Sequence, residues 1–482
     1  MINILNDEVA KGIIQYIESE RERIKINSDL FDISENHIGA LLKAKMIEDL
    51  SKESAGYAAS RKCPINILNK AMDKLSKIYQ QEPRREVING KDSDETLVEK
   101  FEGELNIDYK LNINNEHSNL YMNSLLQIGV DKRKPFVRTI PSNKFLIMNH
   151  SPINPTSDDV VILFMDPIIE GTPGAKLDIY WIHTDEQFAI YDSRGTIRLD
   201  LMAALGQDGT NPIGIKNFMY LNYSDNLVMP KPQEDTLDVS LLIPLLISDS
   251  NYIAKFSTFS IMYGIDIDDK DMKKAPNTFW KFKSDAKSDK TPSIGTIKPE
   301  GDIDTLLKSA MTQLSVWLNT KGIKPGSIGQ ATVDNAASGI AKMIDEGDVT
   351  EIRTHQASVY RVYESQFWDL LLNHIYPFWK EQNLIDDYGT FSVGAEVNVN
   401  FKSQAPLASR GTLVKDLKEE VDAGFTTKRR AVMALNPKMS EKEIDELISE
   451  IEAEEPVQMV VADGETSGKT EQDGDQDNGQ DS

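Results

Sequence analysis

At 482 residues, with 40% hydrophobic and 7% aromatic residues, the chain has the make-up of an ordered globular protein and the length for about three folded units. Its 77 acidic against 53 basic residues leave a net charge of −24, which argues against a dedicated DNA binder but not against a protein that lets DNA pass without holding it. A single cysteine, Cys63, excludes an internal disulfide framework and a zinc site with several thiolates.

The opening residues, MINILNDEVAKGIIQYIESERER, lack the features of a secretory signal. The longest apolar run, LLIPLLI at 241–247, falls short of the ~20 residues of a membrane span. A soluble protein made in a reducing cytoplasm is expected, with Cys63 as a small buried apolar residue. The first 130 residues read as mainly helical, with an apolar stripe at Ile67, Ala71, Leu75, Ile78 and Tyr79 on the 3.6-residue period. From Pro135 the pattern alternates, and PFVRTIP, KFLIMNH, DVVILFMD, KLDIYWIHT, QFAIYD and TIRLDL are predicted strands separated by turns such as SRG at 193–195. Residues 135–230 therefore read as a β-rich subdomain.

Helix is expected again near Thr236, where Leu242, Leu245, Leu246, Tyr252, Ile253, Phe256, Phe259 and Tyr263 share one face. Pro244 is expected to mark a helix start or a kink, because a proline inside a helix loses a hydrogen bond and clashes with the preceding turn. Between Lys270 and Lys298 eight lysines meet three aspartates, a net charge of +5 in an otherwise acidic chain, with Phe279, Trp280 and Phe282 among them. That composition suits either a solvated loop with a small strand pair or a partner-binding surface.

Next, Ile303, Leu306, Leu307, Ala310, Leu314, Trp317 and Leu318 trace one side of a helix whose N-cap is Asp302 and whose stop is Gly322. The loop KGIKPGSIGQ holds Lys321, Lys324 and three glycines, and no acid. Beyond it, Ala337, Ile340, Ile344, Ile352, Val359, Tyr363, Phe367 and Leu370 continue a helical stripe almost to Pro377, a rod of roughly 60 Å at 1.5 Å per residue. Gly339 and Gly347 are where it is expected to bend. A strand is predicted at 390–401, and short helices across 412–454, the last opened by a capping box of Ser440 and Glu443. From Glu455 the chain is too acidic and polar to bury a core, so a disordered tail is expected.

Catalytic motifs fail on spacing. In GETSGKT at 464–470 only three residues separate the glycines where a phosphate-binding loop needs four. Asp473, Asp475 and Asp477 begin like a calcium loop, but the glycine comes late and no bidentate glutamate follows. The six histidines show no paired-ligand spacing, and His374, on the apolar side of the long helix, reads as a satisfied core residue. No catalytic residue, metal site or cofactor is predicted.

The order of elements and several stretches resemble the portal proteins of tailed bacteriophages. The residues that carry the resemblance are PEGDIDTLLKSAMTQLSVWLNTKGIKPGSIGQ, then NAASGIAKMIDEGDVTEIRTHQASVYRVYESQFWDLLL, with Ser338-Gly339-Ile340-Ala341 similar to a Ser-Gly-x-Ala element of that family. NPIG at 211–214, INILNKAMDKLSKIYQ and the closing GTLVKDLKEEVDAGFTTKRRAVMALNPKMSEKEIDELISEIEAE are also similar to portal elements. The likeness spans roughly residues 60 to 454, carried by the shared order of individually degenerate motifs.

What the resemblance implies is an α+β, mainly helical fold of portal architecture. Residues 1–235 would be the wing, with its β-rich part at 135–230; 236–263 and 302–320 two stem helices; 264–301 a small α/β clip; and 321–334 a tunnel loop. Residues 335–411 would be the long wing helix and a returning strand, 412–454 the helical crown, and 455–482 the acidic tail. The family forms a ring, usually of twelve subunits, at one capsid vertex of the virion, after synthesis in the host bacterial cytoplasm. Double-stranded DNA passes through it without sequence specificity during packaging and ejection. The implied partners are further copies of the chain, the terminase large subunit, a head-tail adaptor, and capsid and scaffold proteins; no membrane is involved. Lys321 and Lys324 would touch passing phosphates. Lys273, Lys274, Phe279, Trp280, Lys281 and Lys283 would dock terminase or adaptor, and Ser338, Gly339 and Gly347 would serve as helix hinges. The alternatives are another ring-forming or scaffold-type virion protein without a DNA channel, and, more distantly, a DNA-acting ATPase or nuclease.

Overall fold

Three helices open the chain: α1 (Asp7–Ser19), α2 (Arg21–Ser34) and α3 (Ile38–Asp49). Asn6 caps α1 by accepting from the Glu8 N–H at 2.8 Å, and the 3–4 spacing of Ala10, Ile13 and Ile17 gives that helix one buried face. The computed structural model describes residues 2–49, 62–80, 82–149, 159–170, 175–224, 228–258, 261–265, 293–297, 303–324, 339–401, 410–436 and 441–453. The chain divides into two compact units, Met1–Pro406 and Leu407–Ser482.

In the first unit, α4 (Ile67–Leu75) and a short 3-10 turn at Ile78–Gln80 carry Ala71, Leu75, Ile78 and Tyr79 of the expected stripe into the core, with Leu68 buried where Ile67 is half-buried. Strand β1 (Arg84–Ile88) precedes α5 (Asp92–Leu105) and α6 (Ile107–Tyr121). Strands β2 (Asn123–Asp131), β3 (Lys134–Ile140) and, later, β8 (Phe218–Asn222) form an antiparallel sheet in the order β3-β2-β8. A second antiparallel sheet runs β4 (Phe145–Asn149), β5 (Asp159–Glu170), β6 (Ala175–His183) and β7 (Phe188–Asp192) in chain order. The apolar face of α1 packs with Phe145, Leu146, Ile162 and Ala189 of that sheet. The Tyr191 hydroxyl ties the terminus down by donating to the Ile4 carbonyl.

The strand region thus begins at Asn123, before the expected Pro135, where Met122 in the left-handed region (φ 63°) turns the chain out of α6. TIRLDL is not a strand: the Asp192 carboxylate accepts from the Arg194 and Thr196 N–H groups and turns the chain, Tyr191 bridges only Ile197, and α7 (Leu199–Ala204) follows.

Helix α8 (Glu234–Thr258) runs through Pro244, and β9 (Ile261–Ile265) pairs antiparallel with β10 (Ser293–Ile297) before α9 (Ile303–Thr320). Only part of the expected leucine face of α8 meets the core, where Leu245 and Tyr252 pack against Leu42 and Met46. Thr236, Ser240, Ile243, Pro244, Ser248 and Ser250 are its buried residues among those described, and the hydroxyls of Ser240 and Ser248 satisfy themselves on the carbonyls four residues earlier. Leu242, Leu245 and Leu246 stay half-buried. Over Glu234–Ala254 the mean hydropathy is 1.3, long and apolar enough by composition to cross a membrane, and the helix packs against α9, α2 and α3.

The long helix α10 (Gly339–Asp369) passes into a π-helical segment at Leu370–Ile375 and then α11 (Tyr376–Glu381). The chain returns through β11 (Glu396–Asn400), shorter than expected because Gly394 (φ 80°) turns just before it, to pair antiparallel with β1. Tyr360, Tyr363, Phe367, Trp368 and Leu371 join Phe101, Leu111, Leu126 and Met219 in the largest apolar cluster. The π turn inserts one residue into the helical repeat, so Tyr376 takes an inward position five residues beyond Leu371. His374 is consequently exposed, which corrects its reading as a core histidine. Cys63 is half-buried, not buried; the Ser248 hydroxyl accepts its backbone N–H at 2.8 Å.

The described residues of the second unit form three helices, α12 (Arg410–Asp422), α13 (Lys428–Leu435) and α14 (Glu441–Ala453). Thr427 caps α13, Arg429 pairs with Asp445 at 2.7 Å, and Ala431 and Ile444 are its buried apolar residues among those described. Ser440 of the expected capping box, Asp302 and the acidic tail lie outside the described residues. Helix outweighs strand overall, and the mixed α+β, mainly helical class holds.

Candidate functional site

The end of α9 is built to stop abruptly. Gly322 adopts φ 67°, where a side chain is strained, and donates to the Asn319 carbonyl at 3.0 Å while Ile323 N–H reaches back to Leu318 at 2.8 Å. Ile323 is wholly buried beside Trp317 and Leu318, and a Cβ on Gly322 would lie 2.3 Å from the Ile352 Cδ1 of α10. The first residues after α9 are therefore held in place by backbone geometry and packing together.

Lys321, expected as a channel contact, is already engaged. Its ammonium donates to the Gln233 Oε1 at 2.7 Å and lies 3.0 Å from the Asp235 Oδ2, with its side chain 21% exposed. Gln233 in turn donates to the carbonyls of Asn119 and Leu120, the last turn of α6, at 2.8 and 2.9 Å. A cation at that C-terminus also meets the negative end of the helix dipole. A phosphate would have to compete with Asp235 for Lys321. Lys324, three residues further on, is half-buried. Of the remaining predicted site residues, Lys273, Lys274, Phe279, Trp280, Lys281, Lys283 and Ser338 lie outside the described residues. Gly339 is the first residue of α10 and Gly347 lies within it.

Behind Lys321 runs a buried polar chain that the sequence reading missed. Asn119 accepts from the Gln356 Nε2 of α10 at 2.8 Å and donates to Ser76 at 2.9 Å. Gln356 accepts from Asn115 at 3.2 Å. One turn along α10, the Tyr360 hydroxyl donates to the Asn114 Oδ1 at 2.8 Å, which also accepts from Ser124 of β2 at 3.0 Å. The visible signal was a run of amides, NINNEHSN at 112–119, on a helix otherwise spaced for burial.

A second cluster sits deeper. Arg85 of β1, its side chain 4% exposed, contacts three carboxylates: Glu364 and Asp108 at 2.5 Å and Glu102 at 3.2 Å. Glu364 is fully buried and also accepts from the Tyr79 hydroxyl at 2.8 Å and the Trp368 indole at 3.2 Å. Burial pushes the Glu364 carboxyl above its ordinary range, and Arg85 with these hydrogen bonds opposes the shift without cancelling it. Burial alone would weaken the Arg85 cation, but the carboxylates hold it firmly charged. The legible hint was a glutamate inside the stripe Tyr360, Tyr363, Phe367 and Trp368.

Among the described residues, no group of three or more His, Cys, Asp or Glu side chains is placed to hold a metal. A cleft of about 570 Å³ lies along the outer side of α10 and β11, lined by Arg361, Val362, Gln366, Trp368, Phe391 and Glu396. No family model matches the sequence, and no curated protein matches it.

Proposed function

We propose that the chain is a portal-type ring subunit: a conduit for double-stranded DNA at one capsid vertex, and a platform for terminase and tail adaptor. The observation that carries this reading is the order α8, the β9–β10 pair, α9, an abrupt Gly322 stop and the 31-residue α10. Two helices bracketing a small insertion, then a loop and a long rod, are what a stem, clip, tunnel loop and wing helix require. The lysine-rich stretch falls between β9 and β10, where a clip would meet its partners.

Two further features support it. Leu242 and Leu246 on α8 are only half-buried, and Leu307, Met311 and Val316 on α9 are exposed, leaving apolar helix sides that a neighbouring copy would cover. The net charge of −24 suits a wall that repels the duplex and leaves contact to few lysines. On this reading the protein acts without an active site, in the virion, on DNA of any sequence.

Negative-stain microscopy of the purified chain tests the reading. Rings with an open axial channel of DNA width are expected; monomers or closed rods would overturn it. ATP hydrolysis, or magnesium-dependent cutting of DNA, would favour the enzymatic alternative.

A further inference from the structure

We propose that Lys321, Gln233 and Asp235 form a latch on the residues that follow α9, and that the buried chain Gln233–Asn119–Gln356 passes the state of that latch to α10. The latch joins three places far apart in sequence: the end of α9, the entry to α8 and the last turn of α6. Gln233 is bifunctional in a way only an amide permits. Its oxygen accepts from Lys321 while its nitrogen donates to two helix-terminal carbonyls.

Releasing Lys321 leaves the oxygen of Gln233, itself only 8% exposed, with the weaker donor Thr236 at 3.2 Å. Rotating the amide to find another donor breaks its bonds to Asn119 and Leu120. Asn119 is the shared member: its backbone carbonyl accepts from Gln233, and its half-buried side chain accepts from Gln356 on α10 at 2.8 Å. Buried amides without partners are costly, so the chain favours two arrangements, fully bonded or broken, over a continuum. Any anion that drew Lys321 away from Asp235 would thereby loosen α10 near Gln356.

These contacts lie within one chain, so the inference goes beyond the ring reading and is tested apart from it. Amide hydrogen exchange on the purified full-length protein compares wild type with Lys321→Met, and with Lys308→Met as a charge control on the exposed side of α9. Lys321→Met is expected to lower protection about fivefold or more both at 317–323 and on α10 at 352–360, with Lys308→Met matching wild type. In a Gln356→Leu background, Lys321→Met is expected to change 317–323 alone.

Should Gln356→Leu fold poorly, Gln233→Glu gives the same cut: a carboxylate keeps the Lys321 contact but has no N–H for Asn119 and Leu120. It is expected to loosen α10 while sparing 317–323. Wild-type protection on α10 in Lys321→Met overturns the coupling. Wild-type protection everywhere in that variant overturns the latch as well.

Discussion

Arg85 holds together residues from four elements, and the cluster around it is where single substitutions should cost most. Arg85→Met leaves Glu364 fully buried with only Tyr79 and Trp368 as donors. Stranding a buried charge in this way costs about 3–5 kcal/mol, so chemical denaturation should show a loss of that size. Glu364→Gln keeps Arg85 on Glu102 and Asp108, and its loss should be clearly smaller. His183 gives a pH-dependent counterpart. Its Nε2 is buried among Phe188, Phe218 and Trp181 and meets no hydrogen-bond partner among the described residues, and burial pushes its pKa down to about 3. Between the ordinary histidine value near 6.5 and that depressed value, the unfolded chain binds a proton that the folded one refuses. Stability from this residue is therefore full above about pH 6.5 and lost as the pH falls toward 3. Thermal melts at pH 7.5 and 4.5 should show His183→Phe losing less on acidification than wild type, by about 2–3 kcal/mol. Equal losses in the two proteins would mean that the imidazole is protonated without penalty.

At the scale of elements, the α9 stop is the feature that sequence made plainest. Its apolar spacing and Gly322 define the helix end, where Ala310, Trp317 and Leu318 are buried, but the stripe's early members Ile303 and Leu306 are half-buried and Leu307 is exposed. Gly322→Ala combines a left-handed backbone with a Cβ against Ile352, and a destabilisation of about 1–3 kcal/mol is expected. Ile352→Ala in the same chain removes the contact but not the backbone strain, so the double variant should recover part of the loss; strict additivity in a double-mutant cycle would show that Ile352 plays no role. Other elements were less legible, for identifiable reasons. In α8 the leucine periodicity gives a helix correctly but only part of its inner face, because small hydroxyl residues can bury themselves by bonding carbonyls four residues earlier. His374 was misplaced because periodicity assumes 3.6 residues per turn, and the π segment breaks that count. The amide chain and the Arg85 cluster are formed by residues up to 285 positions apart, as in the Tyr79–Glu364 bond, and no local pattern announces such a pairing.

For the whole molecule, the proposed conduit must reconcile an acidic chain with DNA passage, and Lys321 is where the two demands meet. Replacing Lys321 and Lys324 with Glu should impair genome packaging while leaving rings intact by microscopy. Two physical causes predict that defect. A glutamate would repel passing phosphates, and it would also sit beside Asp235 and force the latch apart. Lys321→Gln separates them: it keeps an N–H donor for the Gln233 Oε1 but removes the cation from the end of α9. Recovery of packaging in that variant would assign the role of Lys321 to holding the loop. A persistent defect, with α10 protection restored, would assign it to the DNA. Normal packaging by Lys321→Glu/Lys324→Glu would remove both residues from the channel account and leave the stem helices as its remaining support.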